Sequence, residues 1–566
     1  MQPINENELI SAVNEMQQKP SKDINGLSIR FLNEHIYEIA PPLTHIFNRS
    51  IQKGIFPKGV KISKTVPIFK NVDSRLDPGN YRPVSIPDAR SKIFEKLMSK
   101  QLLSFLFQNN FFYENQFGFL KGRSTSQALF KILNFITSAL NEGKVAAACF
   151  LDVQKAFDSV NHDILCAKLE RAGIRGVSLD WFKSYLSDRK QKVLIGSTLS
   201  ESTEDIIIGV IQGSILGVIL FLIFMNDIYN CSRLIHSILF ADDISSLYAA
   251  ANLNLLQSEL NPELKKVCMW YRANKMSIHP TKSKFLIFRN NKKLIPDWFE
   301  LLLDDNEPGN FDQSKINKIK LITNSNIDLK DRSVKVLGIH LDENLNFEHH
   351  IDHIRAKANR AIFGLSRVKK IFSEASLRQI YFANIHSHFN YCNLLFTMIP
   401  KKYLSKLVYI QKKAIRIVCG AKFRAPTTPL FFRSKILPLE DLIHFNSLKF
   451  MYDFTNGFLP DSFNNTWIRN REIEGYRLRN IDDFVLPRFY FNSLKNHPYL
   501  LFPKLWNDSK YDFNHSISRS LFLKKMKDFF IHKLDETYNM HCNCSLCGAN
   551  HEYFMNNFIF DIEDYL

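Results

Sequence analysis

The chain has 566 residues, 45% of them hydrophobic, enough for roughly three or four packed domains and too apolar for a disordered chain. Its 74 Lys/Arg against 56 Asp/Glu give a formal charge of +18 and a pI near 9.3, the balance of a protein that binds polyanions. Its N-terminus, MQPINENELI, has no leader pattern, its longest apolar run (Ile215–Met225) is 11 residues, and six Cys lie singly in apolar contexts. These features argue against secretion and bilayer spanning, and predict an intracellular location, cytoplasm or nucleus.

In chain order, residues 1–50 predict an N-terminal helical extension. KTVPIFKNVDSRLDPGNYRPVSI follows and predicts extended chain, because Pro67, Pro78 and Pro83 forbid helix. Helix resumes from Ser91 to Asn109. KVAAACFLDV predicts a buried strand leading into the helix FDSVNHDILCAKLERAG, with Gly173 as its stop. A β-rich stretch to Val210, the loop IQGS and an apolar helix come next. After them NLLQSELNPELKKVCMWYRANKM predicts helix, KFLIF and VKVLGIHL predict strands, and residues 289–333 predict a polar, irregular insertion. The remainder is mainly helical, in a basic region 342–430 and a C-terminal region 431–566. From Ile351 to Ala425 there are 15 Lys/Arg and 2 Asp/Glu, a concentration that predicts nucleic-acid contact.

The stretch HSILFADDISSLYAA, His236 to Ala250, sets two adjacent carboxylates between β-prone runs and predicts a hairpin with Asp242 and Asp243 at its tip. An Asp-Asp pair alone marks many turns. Carboxylates this close repel unless a proton or a metal ion neutralises them, so the tip is a candidate divalent-cation site. A third acid, Asp152, ends the buried strand. If the strand lies beside the hairpin, the three could hold two Mg²⁺ ions, the arrangement suited to in-line phosphoryl transfer. Lys70 and Arg82, on extended segments that a Pro-Gly turn could fold together, are placed to hold a triphosphate.

These residues carry a resemblance. In order, VPIFK…DPGNYRPVSIPDARSKIFEKLM, NQFGFLKGRSTSQALFKIL, LDVQKAFDSVNHDIL, GVIQGSILGVILFLIFMNDI, FADD, WYRANKMSIHPTKSKFLIF and VKVLGIHLDENLNFEHHI resemble the reverse-transcriptase motifs of non-LTR (LINE-type, jockey-like) retrotransposons. The resemblance implies an α+β right-hand polymerase. Its fingers and palm would span 51–341 and bear Asp152, Asp242 and Asp243, and a helical thumb would fall in the basic region. It also implies that Lys70 and Arg82 contact the incoming deoxynucleoside triphosphate, that Gln212 and Gly213 line the nascent base pair, and that Lys282 protonates the leaving pyrophosphate. Phe157, five residues after Asp152, would wall off a ribose 2′-hydroxyl, with Asp158 pointing away. The implied partners are an RNA template and a DNA primer or target.

Departures accompany the resemblance. The family usually has Pro where this chain has Ile211 and Val218, so the IQGSILGV loop should be looser, and SKDINGLS matches the family's N-terminal pattern imperfectly. Full-length elements carry an endonuclease ahead of the polymerase; with only about 60 residues ahead of it here, that activity is expected from elsewhere and the chain to be a truncated copy. Near the C-terminus, HCNCSLCGANH (541–551) offers Cys542, Cys544, Cys547 and His551 as a candidate zinc knuckle. Two other readings stand beside the reverse transcriptase: an inactive nucleic-acid-binding remnant of a retroelement, and a palm-type RNA-dependent RNA polymerase.

Overall fold

The structure, a computed structural model, describes every residue except 71–73, 291–294, 307–311, 325–331, 473–479, 490–495, 510–516 and 542–566. Two compact units divide the chain, Met1–Leu337 and Gly338–Leu566.

The first unit opens with helices α1 (Glu6–Asn14), α2 (Ile29–Glu34) and α3 (Ile36–Lys53). Asn5 and Glu8 cap α1 reciprocally, each side chain accepting from the other's backbone N–H, which satisfies two otherwise orphaned donors. In SKDINGLS the buried Asp23 carboxylate accepts from the N–H groups of Asn25, Leu27 and Ala89, fastening this loop to the start of α4 (Ala89–Gln108). Strands β1 (Ile62–Phe69) and β2 (Tyr81–Ile86) form an antiparallel pair through the Pro-bearing segment.

A five-stranded sheet organises the rest of the unit. Its core strand is β3 (Val145–Leu151), which follows helix α5 (Thr125–Asn141). Ala146, Ala147, Ala148 and Cys149 of β3 are fully buried; Ala147, Cys149 and Leu151 enter one continuous core, as a two-residue side-chain period requires. After β3 come α6 (His162–Arg171) and α7 (Val177–Leu186). The stretch after Gly173 was expected to be β-rich, and α7 corrects this. Leu179, Phe182 and Leu186 recur at helical spacing and bury one face, and that periodicity outweighs the strand preference of Trp181, Phe182 and Tyr185.

Strand β4 (Arg189–Ile195) then runs parallel to β1, with β5 (Thr198–Leu199) and β6 (Glu204–Ile206) antiparallel to it. The apolar helix α8 (Ile215–Met225) leads to β7 (His236–Phe240), β8 (Asp243–Ala250), α9 (Leu253–Ala273) and β9 (Lys284–Phe288). Within 289–333, β10 (Leu302–Asp304) pairs antiparallel with β11 (Ile316–Lys318), and β12 (Lys320–Leu321) lies parallel to β9. Phe299, Leu301, Leu303 and Ile319 of this stretch are buried in the unit's core, so it is less irregular than its polar composition suggests. The large sheet reads β12-β9-β3-β8-β7.

The second unit is mainly helical: after a short strand, Ile339–Leu341, come α10 (Glu348–Val368), α11 (Glu374–Tyr381), α12 (Ser387–Asn390), α13 (Lys401–Val418), α14 (Thr428–Ser434), α15 (Leu439–Thr455), α16 (Pro498–Ser509) and α17 (Arg519–His541). Apolar stripes on α10 (Ile351, Ile354, Ala358, Ile362, Leu365) and α13 (Leu407, Ile410, Ala414) are buried where these helices pack together. Cys542, Cys544, Cys547 and His551 lie outside the described residues. No helix among the described residues is long and apolar enough to cross a membrane.

Candidate active site

Strand pairing gathers the three acids. Leu151, the last residue of β3, pairs with Ile244 of β8, and Phe240 pairs with Asp243, so Ala241 and Asp242 form a two-residue hairpin turn. Asp152, Asp242 and Asp243 therefore stand at the same end of two neighbouring strands. Ala241 holds φ 58, a left-handed conformation that costs a non-glycine residue about 1–2 kcal/mol and needs support from its surroundings.

Burial raises the Asp242 carboxyl above the usual carboxylate range; the charge of Asp152 raises it further, while its own backbone N–H and Arg82 oppose the shift. Burial, then the charges of Asp242 and Asp152, push Asp243 up to about 6. Asp242 and Asp243 thus both feel the charge of Asp152. Among the described residues no three His, Cys, Asp or Glu side chains stand close enough together to form a ready cage for one ion. The donor set is all carboxylate oxygen with an excess of negative charge, which suits a hard divalent cation such as Mg²⁺.

A stability prediction follows from Asp243. Its folded pKa is raised, so the folded state takes up the proton first, and stability falls as pH rises from about 4 to about 6. In divalent-free buffer Asp243→Asn should be more stable than wild type above pH 6, but only by about 1 kcal/mol: the carboxyl is crowded by protein and by Asp242 and Asp152, yet the residue keeps enough open surface for solvent to screen much of the effect. The gain should disappear toward pH 4. Thermal melts across this range check it, and a difference that ignores pH contradicts it.

Around the acids, backbone bonds lock the neighbouring loops. The His279 N–H donates to the Asp152 carbonyl at 2.7 Å, and the Asp152 N–H donates to Ser283 Oγ at 3.2 Å. This brackets Lys282, whose side chain is exposed, beside Asp152. On the other flank the Ser85 N–H of β2 donates to the Gln212 carbonyl at 2.8 Å. Gly213, at φ 116, fits there because a Cβ would lie 2.3 Å from the Ser85 carbonyl oxygen. At Ile211, where the family usually has proline, the Ser214 N–H and hydroxyl both donate to the Ile211 carbonyl.

Arg82 pairs with Ile68 across β1 and β2, and its charge reaches Asp242. Lys70, just beyond β1, is exposed; its ammonium donates to the Gly79 carbonyl at 2.8 Å and its charge reaches Asp158. Phe157 is half-buried, its ring stacked on Phe221 of α8 with centroids 4.3 Å apart. Gln212 Nε2 donates to the Asp158 carboxylate at 3.0 Å, and Ala156–Ser159 form a 3-10 turn whose side chains step by about 120°.

Sequence reasoning missed Glu95. This fully buried carboxylate accepts from the Ile215 and Leu216 N–H groups (2.8 and 3.3 Å), stabilising the positive end of α8 just after the Gln212–Gly213 loop. Its signal was a lone acid between Phe94 and Leu97 on an apolar helical face.

The family described as Reverse transcriptase (RNA-dependent DNA polymerase) matches residues 68–341. The chain is 25% identical over 460 residues to the Drosophila melanogaster protein named "Probable RNA-directed DNA polymerase from transposon BS", covering 78% of this chain and 48% of that protein. It is 25% identical over 447 residues to the "RNA-directed DNA polymerase from mobile element jockey" of the same species (77% of this chain, 46% of that one), and 25% identical over 411 residues to its Drosophila funebris namesake (71% and 42%). The chain thus spans about half the length of the curated relatives it matches. Residues 68–341 thus match the reverse transcriptase family, and the proteins to which the chain is similar are named as RNA-directed DNA polymerases of transposable elements.

Proposed function

We propose that this chain is an RNA-directed DNA polymerase of a non-LTR retrotransposon, extending a DNA primer 3′-hydroxyl along an RNA template with deoxynucleoside triphosphates. The observation that carries the reading is the meeting of Asp152, Asp242 and Asp243 at one end of β3 and β8, with Arg82 in their field. The three aspartates would hold Mg²⁺, two ions in this reading, through carboxylate oxygens, and the metal would supply Lewis acidity to the primer hydroxyl and the leaving oxygen. Lys70 and Arg82 bind the triphosphate, Gln212 and Gly213 line the nascent base pair, Phe157 packs beneath the sugar, and Lys282 hands a proton to the departing pyrophosphate. Primer extension on poly-A RNA with dTTP and Mg²⁺ tests the reading. Tight RNA binding without extension would favour the inactive remnant.

Residues 342–430 serve as a basic, thumb-like grip on the template–primer. Lys401, Lys402, Lys412 and Lys413 of α13 are exposed around the exposed ring of Tyr409, and Phe363 of α10 is exposed beneath the Arg367 guanidinium. Phosphates and base faces are the natural partners of such a surface. Arg416 is partly committed elsewhere, its Nε donating to the Ala425 carbonyl at 2.8 Å. Neutralising the four lysines should flatten the salt dependence of RNA binding by roughly one unit of log–log slope for each phosphate-binding lysine removed. Binding measured across a salt series checks this, and an unchanged slope would assign the lysines to solvent.

A further inference from the structure

The turn that carries Asp242 is gripped from the free edge of β7. The Leu239 N–H donates to the Asn115 carbonyl at 2.9 Å and the Phe117 N–H to the Leu239 carbonyl at 2.7 Å, so Asn115–Phe117 runs parallel to β7. Arg123 steadies this segment, donating to the carbonyls of Tyr113 (3.0 Å) and Glu114 (2.9 Å). At its centre Gln116 is fully buried, and its Oε1 accepts from the N–H groups of Gly118 (2.9 Å) and Ala241 (3.1 Å). Ala241 is the left-handed residue next to Asp242.

Two further observations single out this contact. Gln116 Nε2 is buried without a partner, so the amide accepts an unsatisfied donor to place its oxygen on Ala241. At Gly118, a Cβ would lie 2.4 Å from the Ala241 nitrogen and 2.9 Å from the Phe240 carbonyl carbon. Backbone meets backbone there, and no side chain could move aside.

We propose that Gln116, seated by Gly118, is a positioning residue for nucleotidyl transfer: its carboxamide oxygen fixes the Ala241–Asp242 turn and thereby aims the Asp242 carboxylate at the site shared with Asp152. The inference rests on the polymerase reading above. Without that acceptor the Ala241 N–H is released and the turn can leave its strained left-handed state. The Asp242 oxygens then spread over several directions. Metal affinity and the rate of the chemical step should fall together, whereas nucleotide contacts made by Lys70 and Arg82 should not.

The test uses the full chain and the variants Gln116→Leu, Gln116→Met and Gln116→Glu, the last of which keeps an acceptor at the same reach. Five quantities are read: Mn²⁺ binding to the protein by electron paramagnetic resonance, melting temperature, affinity for an RNA–DNA duplex, and the rate and KM of single-nucleotide incorporation. Leu and Met should each weaken Mn²⁺ binding and slow incorporation by about tenfold or more, with KM and duplex affinity within about twofold of wild type. The Glu variant should recover most of both losses. Leu or Met variants that bind Mn²⁺ and incorporate like wild type overturn the proposal; so does equal damage in all three variants accompanied by a common fall in melting temperature. A wild type that neither binds Mn²⁺ nor incorporates nucleotide overturns the polymerase reading and this inference with it.

Discussion

Primer extension should vanish in Asp242→Asn while RNA binding stays nearly intact. The substitution keeps the side chain's size and removes one charged oxygen from a position where Asp152, Asp243 and Arg82 all act electrostatically. Losing a metal-binding carboxylate removes several kcal/mol of transition-state stabilisation, a drop of about a thousandfold or more. The lysines of α13 are untouched, so the salt dependence of RNA binding should match wild type. Extension at the wild-type rate would remove Asp242 from the metal site.

The second large effect concerns the choice of sugar. Phe157→Ala should retain deoxynucleotide incorporation and gain ribonucleotide incorporation by about tenfold or more, about 1.4 kcal/mol of lost discrimination. A phenyl ring beside the sugar rejects the 2′-hydroxyl by clash and by leaving it unpaired. Stacking on Phe221 holds the ring in one orientation, which a rigid wall needs. The same stacking means that the Ala variant should also lose stability. The two roles separate in one experiment: a lower melting temperature with unchanged sugar selectivity would make Phe157 a packing residue only. Competition between dTTP and UTP on poly-A template reads the selectivity.

What the sequence disclosed was local. The hairpin could be read from β-prone runs either side of a short polar break, and β3 from an uninterrupted run of small apolar residues, because each depends on its own segment. The placement of the acids at strand ends followed from those two elements. Contacts across long separations were hidden. Gln116 lies 125 residues before Ala241, and Glu95 lies 120 before Ile215; neither partner can be found from a neighbouring residue. In α7, aromatic residues that favour strands concealed a helical period.

The most direct measurement is single-nucleotide incorporation by the purified chain onto a DNA primer annealed to four RNA templates that differ only in the first templating base. Each deoxynucleoside triphosphate is supplied alone, with Mg²⁺ and then with chelator. The aspartate site predicts incorporation only of the complementary deoxynucleotide on each template, lost on chelation and lost in Asp242→Asn. Tight binding to all four duplexes with no incorporation on any of them, or incorporation that ignores the templating base, would contradict it.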